Sequence, residues 1–199
     1  MNIKIIKYNA GNIQSVLNAL ERLHISAEVT DDAAAIQSAD QVIFPGVGEA
    51  SSAMKSLQEK NLDAVIRDLK QPVLGICVGM QLLCTSSEEN ETPCLGIIPV
   101  TVRKFTAGEN KLKIPQVGWN QIFNLRSALF QNIEEGSYIY NVHSYYAEDS
   151  EFTIAHCQYG IQYAAALKKD NFYGVQFHTE KSAEIGDRII ENFLNLSCR

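Results

Sequence analysis

Pro72-Val73-Leu74-Gly75-Ile76-Cys77-Val78-Gly79-Met80-Gln81-Leu82-Leu83 carries the strongest structural signal in the chain. Its first part is an apolar run of strand length, and its last part opens an apolar-periodic helix. Between them a cysteine stands with glycine two residues before it and two after. That is the pattern of a nucleophile elbow, a strand-to-helix turn sharp enough to strain its central residue. The glycines leave room where close packing denies a Cβ. Such a turn lifts the sulfur above the carboxyl edge of a sheet, and the helix N-terminus beneath it favours thiolate over thiol.

Upstream of the elbow the chain alternates between strand and helix patterns. Ile3–Lys7 reads as a short buried strand. Asn12 is placed to cap a helix with apolar positions at Ile13, Val16, Leu17, Leu20 and Leu23. Ala27–Thr30 and Gln41–Phe44 are the next strands. Ala50–Leu69 is helical in pattern with a break near Asn61, and Val73–Ile76 leads into the elbow. Strands separated by helices imply right-handed crossovers and a mostly parallel sheet covered on both faces.

Downstream the pattern changes. Ile97–Lys104, Gly118–Phe123, Ser137–His143, Phe152–His156, Gln162–Leu167 and Phe172–Phe177 are short and rich in β-branched or aromatic residues. With no helices between them, they read as antiparallel or mixed additions to the sheet. Ser182–Leu196 closes the chain as an amphipathic helix, and the polar stretches Ser86–Thr92 and Thr106–Lys113 read as loops. The expected fold class is therefore α/β: a central mostly parallel to mixed sheet flanked by helices, in one domain over residues 1–199.

At 199 residues, 46% hydrophobic, the chain suffices for a sizeable core. A formal net charge of -6, with no basic run, argues against nucleic acid or an anionic membrane surface as the main partner. The opening Asn2-Ile3-Lys4-Ile5-Ile6 is too short for a signal-peptide apolar region, so the cytoplasm is the expected compartment. Five widely spaced cysteines without a CxxC pair suggest neither a disulfide framework nor a zinc site. Cys84, Cys94, Cys157 and Cys198 read as small apolar residues or inert thiols.

A catalytic thiol needs a base, and the base needs an orienting acceptor. Phe177-His178-Thr179-Glu180 supplies both at the end of an extended segment, where residues two apart face the same side. A strand there beside Val73–Ile76 would bring His178 to Cys77, at the carboxyl ends of strands where open α/β sheets bind ligands. Either segment alone has a plainer reading: a buried structural cysteine at a glycine turn, or a surface ion pair. Together they point to an enzyme. Phe44-Pro45-Gly46-Val47-Gly48 follows another strand, and glycines there let a backbone N–H be aimed at a ligand. One oxyanion donor would be the N–H of Val78, and the second that of Val47 or of Gly46 or Gly48 beside it. The plainer reading of that segment is an ordinary turn. His143, before Ser144-Tyr145-Tyr146, fits a cleft wall and a structural role equally, whereas His24 and His156 show no partner pattern.

With these residues in place, the chain resembles the class I, triad-type glutamine amidotransferases, and within them the glutaminase subunits of imidazole glycerol phosphate synthases. The likeness runs through Gly11-Asn12, Pro45–Gly48, Gly75–Gln81, Pro115 with Gly118-Trp119-Asn120, His143-Ser144-Tyr145 and Phe177–Ser182. It implies Cys77 as nucleophile, His178 as base and Glu180 as its orienter. Gln81, Glu89, His143, Ser144 and Tyr145 would hold glutamine, with a carboxylate such as Glu89 suited to its ammonium. Asn12, Trp119, Tyr140 and Lys181 would face the partner, a (β/α)8-barrel cyclase subunit. The implied reaction yields glutamate and ammonia through a γ-glutamyl thioester, with no metal or organic cofactor.

The cyclase would use the ammonia on a phosphorylated ribulosyl aminoimidazole carboxamide nucleotide. Three positions depart from the family pattern: Thr179 stands where Pro is usual, Lys7–Ala10 differ from the common acidic start, and Gln116 replaces a frequent His. A glutaminase serving pyridoxal phosphate synthesis, a cysteine peptidase or isomerase, and a silent binding subunit are the alternatives.

Overall fold

The computed structural model describes residues 1–8, 12–107 and 112–196. The expectations at Asn9, Ala10, Gly11 and Cys198, and the middle of Thr106–Lys113, lie outside them. The first half contains β1 (Ile3–Ile6), α1 (Ile13–Arg22), β2 (Glu28–Thr30), α2 (Ala33–Gln37) and β3 (Gln41–Phe44). It continues through α3 (Ala50–Glu59), α4 (Leu62–Asp68), β4 (Val73–Ile76) and α5 (Val78–Leu83). The second half is mostly strand: β5 (Cys84–Ser87), β6 (Thr92–Pro93), β7 (Ile98–Lys104), β8 (Gln116–Phe123) and β9 (Tyr138–His143). Then come β10 (Tyr145–Ala147), β11 (Thr153–Tyr159), β12 (Ile161–Lys169), β13 (Phe172–Val175) and α6 (Ala183–Leu194).

The sheet runs β2-β1-β3-β4-β13-β12-β10-β7-β5-β6, with β11 on β12 and β8–β9 attached through β11. From β2 to β13 every pairing is parallel. From β13 through β12 and β10 to β7 the ladder is antiparallel, as the helix-free spacing of the second half predicts, before β5 joins β7 in parallel. All four residues of β1, β3, β4 and β13 are buried. Because alternate side chains point to opposite faces, burial of all four means that both faces are covered. Val175 pairs with Ile76, which sets the ends of β4 and β13 side by side.

Three local expectations are corrected, and one short helix is added. Ser86–Thr92 is not a loop: β5, a 3-10 turn at Glu89–Glu91 and β6 occupy it, with β5 running parallel to β7. Thr85, Ser86 and Ser87 carry too little apolar signal to mark a strand. Asn12 stands at the start of α1 but in a left-handed conformation, φ 76°, and its side chain bonds no helix N–H. That side chain instead meets the Ser15 hydroxyl and Glu180. Helix α2, started by Asp32 accepting from the Ala35 N–H at 2.7 Å, has too few residues to show a period. His178 and Glu180 are not neighbours along a strand, since β13 ends at Val175 and Glu180 lies in a 3-10 turn, Thr179–Lys181.

Candidate active site

Cys77 follows β4 with φ 54° and ψ -111°, a conformation that costs a side-chain-bearing residue about 1–3 kcal/mol. The strain is held by close packing on either side. A Cβ on Gly79 would lie 1.9 Å from the Phe44 carbonyl oxygen, and one on Gly75 2.8 Å from the Met80 nitrogen. Any other residue at these positions would push α5 off the strands. The Cys77 N–H donates to the Val175 carbonyl at 2.8 Å, so the β4–β13 ladder runs on into the elbow.

That ladder also delivers the base. His178 follows β13, its N–H donating to the Tyr140 carbonyl at 3.0 Å, and its Nδ1 lies 2.8 Å from Glu180 Oε1. Both side chains are buried, and the tight turn makes the contact that strand alternation was expected to make. Burial by itself would push the His178 imidazolium down. Hydrogen bonds to Cys77 and Glu180 more than offset it and raise the group to about 10. Cys77, His178 and Glu180 are therefore gathered with the imidazole between the sulfur and the carboxylate, and both partners favour its protonated form. Asn12 Nδ2 adds a donor to the same carboxylate oxygen at 3.3 Å.

A cavity of about 350 Å³ opens over this line. Val47, Gly48, Cys77, Val78, Gln81, Glu89, His143, Ser144, Tyr145 and His178 all line it, as do Pro115, Val142 and Lys181. A larger cavity of about 570 Å³, between Met1 and Asn195, is lined by neither cysteine nor histidine.

The polar walls are fixed from within. His143 Nδ1 donates to the Tyr145 carbonyl at 2.7 Å, and burial pushes its imidazole down to about 4, so it is neutral. Gln81 Nε2 donates to that carbonyl at 3.1 Å and to Gln176 Oε1 at 3.0 Å. With both N–H groups committed, Gln81 has acceptance through Oε1 left for a ligand. Glu89 is half-buried, and burial raises its carboxyl; one oxygen accepts the Ala50 N–H at the start of α3 at 2.7 Å. Gln116, at the position of the frequent family His, accepts from the Tyr163 hydroxyl at 3.0 Å, and that hydroxyl lies 3.3 Å from His143 Nε2.

The segment Pro45–Gly48 lies against the elbow. The Val78 N–H, expected to point at an oxyanion, instead donates to the Gly46 carbonyl at 3.3 Å. Gly46 does not line the cavity, and it is packed too tightly for a side chain: a Cβ there would lie 2.5 Å from the Gly79 nitrogen. Gly48 is open, at φ 99° with nothing near a would-be Cβ. The Tyr8 hydroxyl donates to the Pro45 carbonyl at 2.6 Å beneath the segment.

Of the residues expected to face a partner, Trp119 is 53% exposed and so is not core. It pairs with Tyr140 across β8–β9, their rings edge-to-face at 5.8 Å. Val117, Tyr138 and Val142 share that exposed face by register. Lys181 stands at the cavity rim. Sequence reasoning missed Gln176, and also the Asp149 partner of His156, 2.9 Å away. Neither lies in a motif that marks it.

The glutamine amidotransferase class-I family profile matches residues 4–196. The chain belongs to that family. It is 52% identical to the imidazole glycerol phosphate synthase subunit HisH of Bacteroides fragilis, over 98% of this chain and 100% of that one. The HisH subunit of Bacteroides thetaiotaomicron is 49% identical over the same shares, and that of Colwellia psychrerythraea 45%, over 96% and 92%. A crystal structure of a glutamine amidotransferase superposes with a TM-score of 0.75 at 16% identity, covering 98% of this chain and 97% of that one. PurLQS from Thermotoga maritima gives 0.71 at 17%, with the same coverage. At such identities the structures speak for the class-I amidotransferase fold alone. Among the described residues no helix is long and apolar enough to cross a membrane.

Proposed function

We propose that this amidotransferase is the glutaminase subunit of an imidazole glycerol phosphate synthase and acts as one domain in the cytoplasm. The observation that carries the reading is the line from Cys77 through His178 to Glu180, at the floor of a cavity with one carboxylate, Glu89, on its wall.

The chemistry follows from that line. The Cys77 thiolate attacks the side-chain carboxamide carbon of glutamine; the C–S bond forms and the carbonyl electrons move onto oxygen. The N–H groups of Val78, once released from the Gly46 carbonyl, and of the Val47–Gly48 segment are the donors for that oxyanion. Collapse breaks the C–N bond as the His178 imidazolium gives its proton to the leaving nitrogen, which departs as ammonia. His178, now neutral and held by Glu180, takes a proton from water, which attacks the thioester and releases glutamate and the thiolate. Glu89 suits the substrate ammonium, the Gln81 amide oxygen can accept from it, and the backbone at Ser144 and Tyr145 suits the carboxylate.

The partner is a (β/α)8-barrel cyclase subunit that seats on the face built from Trp119, Tyr140 and their neighbours, with Asn12 and Lys181 at the mouth from which ammonia leaves. It uses that ammonia on a phosphorylated ribulosyl aminoimidazole carboxamide nucleotide in histidine biosynthesis, and no metal or organic cofactor takes part in the hydrolysis. An exposed Trp in an apolar, aromatic strip supports a docking face there, because Trp and Tyr are enriched where interfaces concentrate their energy. The test is to mix the chain with the cyclase subunit, its nucleotide and glutamine. Glutamate and imidazole product formed in equal amounts are expected; product formed only with added ammonium salt would contradict the reading.

A further inference from the structure

Gln176 is fully buried between β13 and His178, carries no charge and belongs to no role assigned above. Its amide is nonetheless oriented by a chain of contacts whose chemistry leaves one solution. The Tyr145 carbonyl can only accept, so the Gln81 atom 3.1 Å from it is the amide nitrogen. That nitrogen spends its second N–H on Gln176, 3.0 Å away, so the atom facing it is Gln176 Oε1. The Gln176 amide nitrogen must then face the other way, and there it lies 3.9 Å from Cys77 Sγ. On its other side the sulfur faces the Val142 carbonyl at 3.9 Å, which suits a thiol S–H and disfavours a thiolate.

We propose that Gln176 is a further residue of the reaction: an N–H donor, locked through Gln81 and the Tyr145 carbonyl, that stabilises the Cys77 sulfur as an anion. It offsets the Val142 carbonyl and makes the nucleophile's state depend on the wall that receives the substrate. At 3.9 Å the contact is long, as donors to a nucleophile commonly are before substrate binds. The proposal rests on the reading of Cys77 as nucleophile, but its test does not need turnover.

The test is the pH dependence of Cys77 alkylation by iodoacetamide, followed by peptide mass in the full chain. His178 with Glu180, Tyr8, His143, Tyr145, Glu89 and Lys181 are the titratable groups around the sulfur and its cavity, and none of them is substituted in either variant. Gln176→Met keeps the volume and removes both the donor to the sulfur and the acceptor for Gln81. It should move the alkylation midpoint to higher pH and slow the reaction at neutral pH about tenfold. With the cyclase present, kcat in Gln176→Glu should fall while KM for glutamine stays within about twofold, because that variant keeps the acceptor for Gln81 and alters only the contact to the nucleophile. Gln176→Glu keeps the acceptor for Gln81 but turns an anionic oxygen toward the sulfur, and should suppress alkylation further than Gln176→Met does. An unshifted midpoint in Gln176→Glu would overturn the proposal even if Gln176→Met fails to fold. So would a fall in kcat matched by a rise in KM with no pH shift. Midpoints that shift in a chain that releases no ammonia would uphold Gln176 while refuting the glutaminase reading.

Discussion

The triad and the oxyanion segment meet at the same sulfur yet are built in different ways. Cys77, His178 and Glu180 are held by sheet register: β4 and β13 pair in parallel, the Cys77 N–H extends their ladder, and a 3-10 turn closes the imidazole onto its carboxylate. The groups that move charge are already in contact. Across the cavity, Pro45–Gly48 satisfies itself, because the Gly46 carbonyl takes the Val78 N–H that an oxyanion would need. Gly46 is wedged against the elbow while Gly48 is open, so the peptide between them has one fixed end and one free end. On the proposed reading the nucleophile is made ready by the fold, and stabilisation of the transition state would wait on a rearrangement that frees the Val78 N–H.

The largest expected effect breaks the triad side. Cys77→Ser should lower glutamine hydrolysis by about 10⁴-fold or more, because a hydroxyl in a site tuned for thiolate ionises too weakly to attack. The cyclase supplied with ammonium should be unaffected. Ammonia release by purified Cys77→Ser near the wild-type rate would remove Cys77 as nucleophile.

Next comes the route by which a partner reaches the other side. Trp119→Ala should weaken cyclase binding by about 2 kcal/mol or more, roughly thirtyfold, and wild-type Trp fluorescence should shift on mixing. Unchanged affinity and spectrum would place the docking face elsewhere.

A subtler effect concerns the wall behind the substrate. His143 is neutral and buried, its imidazole lowered to about 4. Below the ordinary value near 6.5 the unfolded chain binds a proton that the folded one refuses, so stability falls as the pH drops from about 6.5 to 4. Fully expressed, that is about 3 kcal/mol, and no more is lost below the lower value. Urea unfolding of His143→Gln should show a flatter pH dependence across this window; a slope as steep as wild type would mean that His143 is not the group responsible.

Much of this was legible because its physics is local. Gly75 and Gly79 predict the elbow, and the structure shows the close contacts that exclude side chains there. The change from helix-separated to helix-free strands predicts where the sheet turns antiparallel. Illegible were features that depend on what arrives from far along the chain. Nothing near Glu89 announces that it holds the start of α3, 39 residues away, and nothing near Gln176 announces a contact with a sulfur 99 residues away. Composition by itself does not decide whether Trp119 is core or surface. Only the pairing of β8 with β9 places it outward.

The most direct test of the split between a ready triad and an unready oxyanion segment is glutamine turnover in three states: the chain alone, the chain with the cyclase, and the complex with the cyclase's nucleotide bound. A missing oxyanion donor lowers turnover by about 10²–10³. The partner can restore it only by binding the rearranged segment more tightly than the self-satisfied one. Rates that climb across the three states by a factor of that order are predicted, with Cys77 alkylation little changed. Equal turnover in all three would contradict the account and make Pro45–Gly48 an ordinary turn.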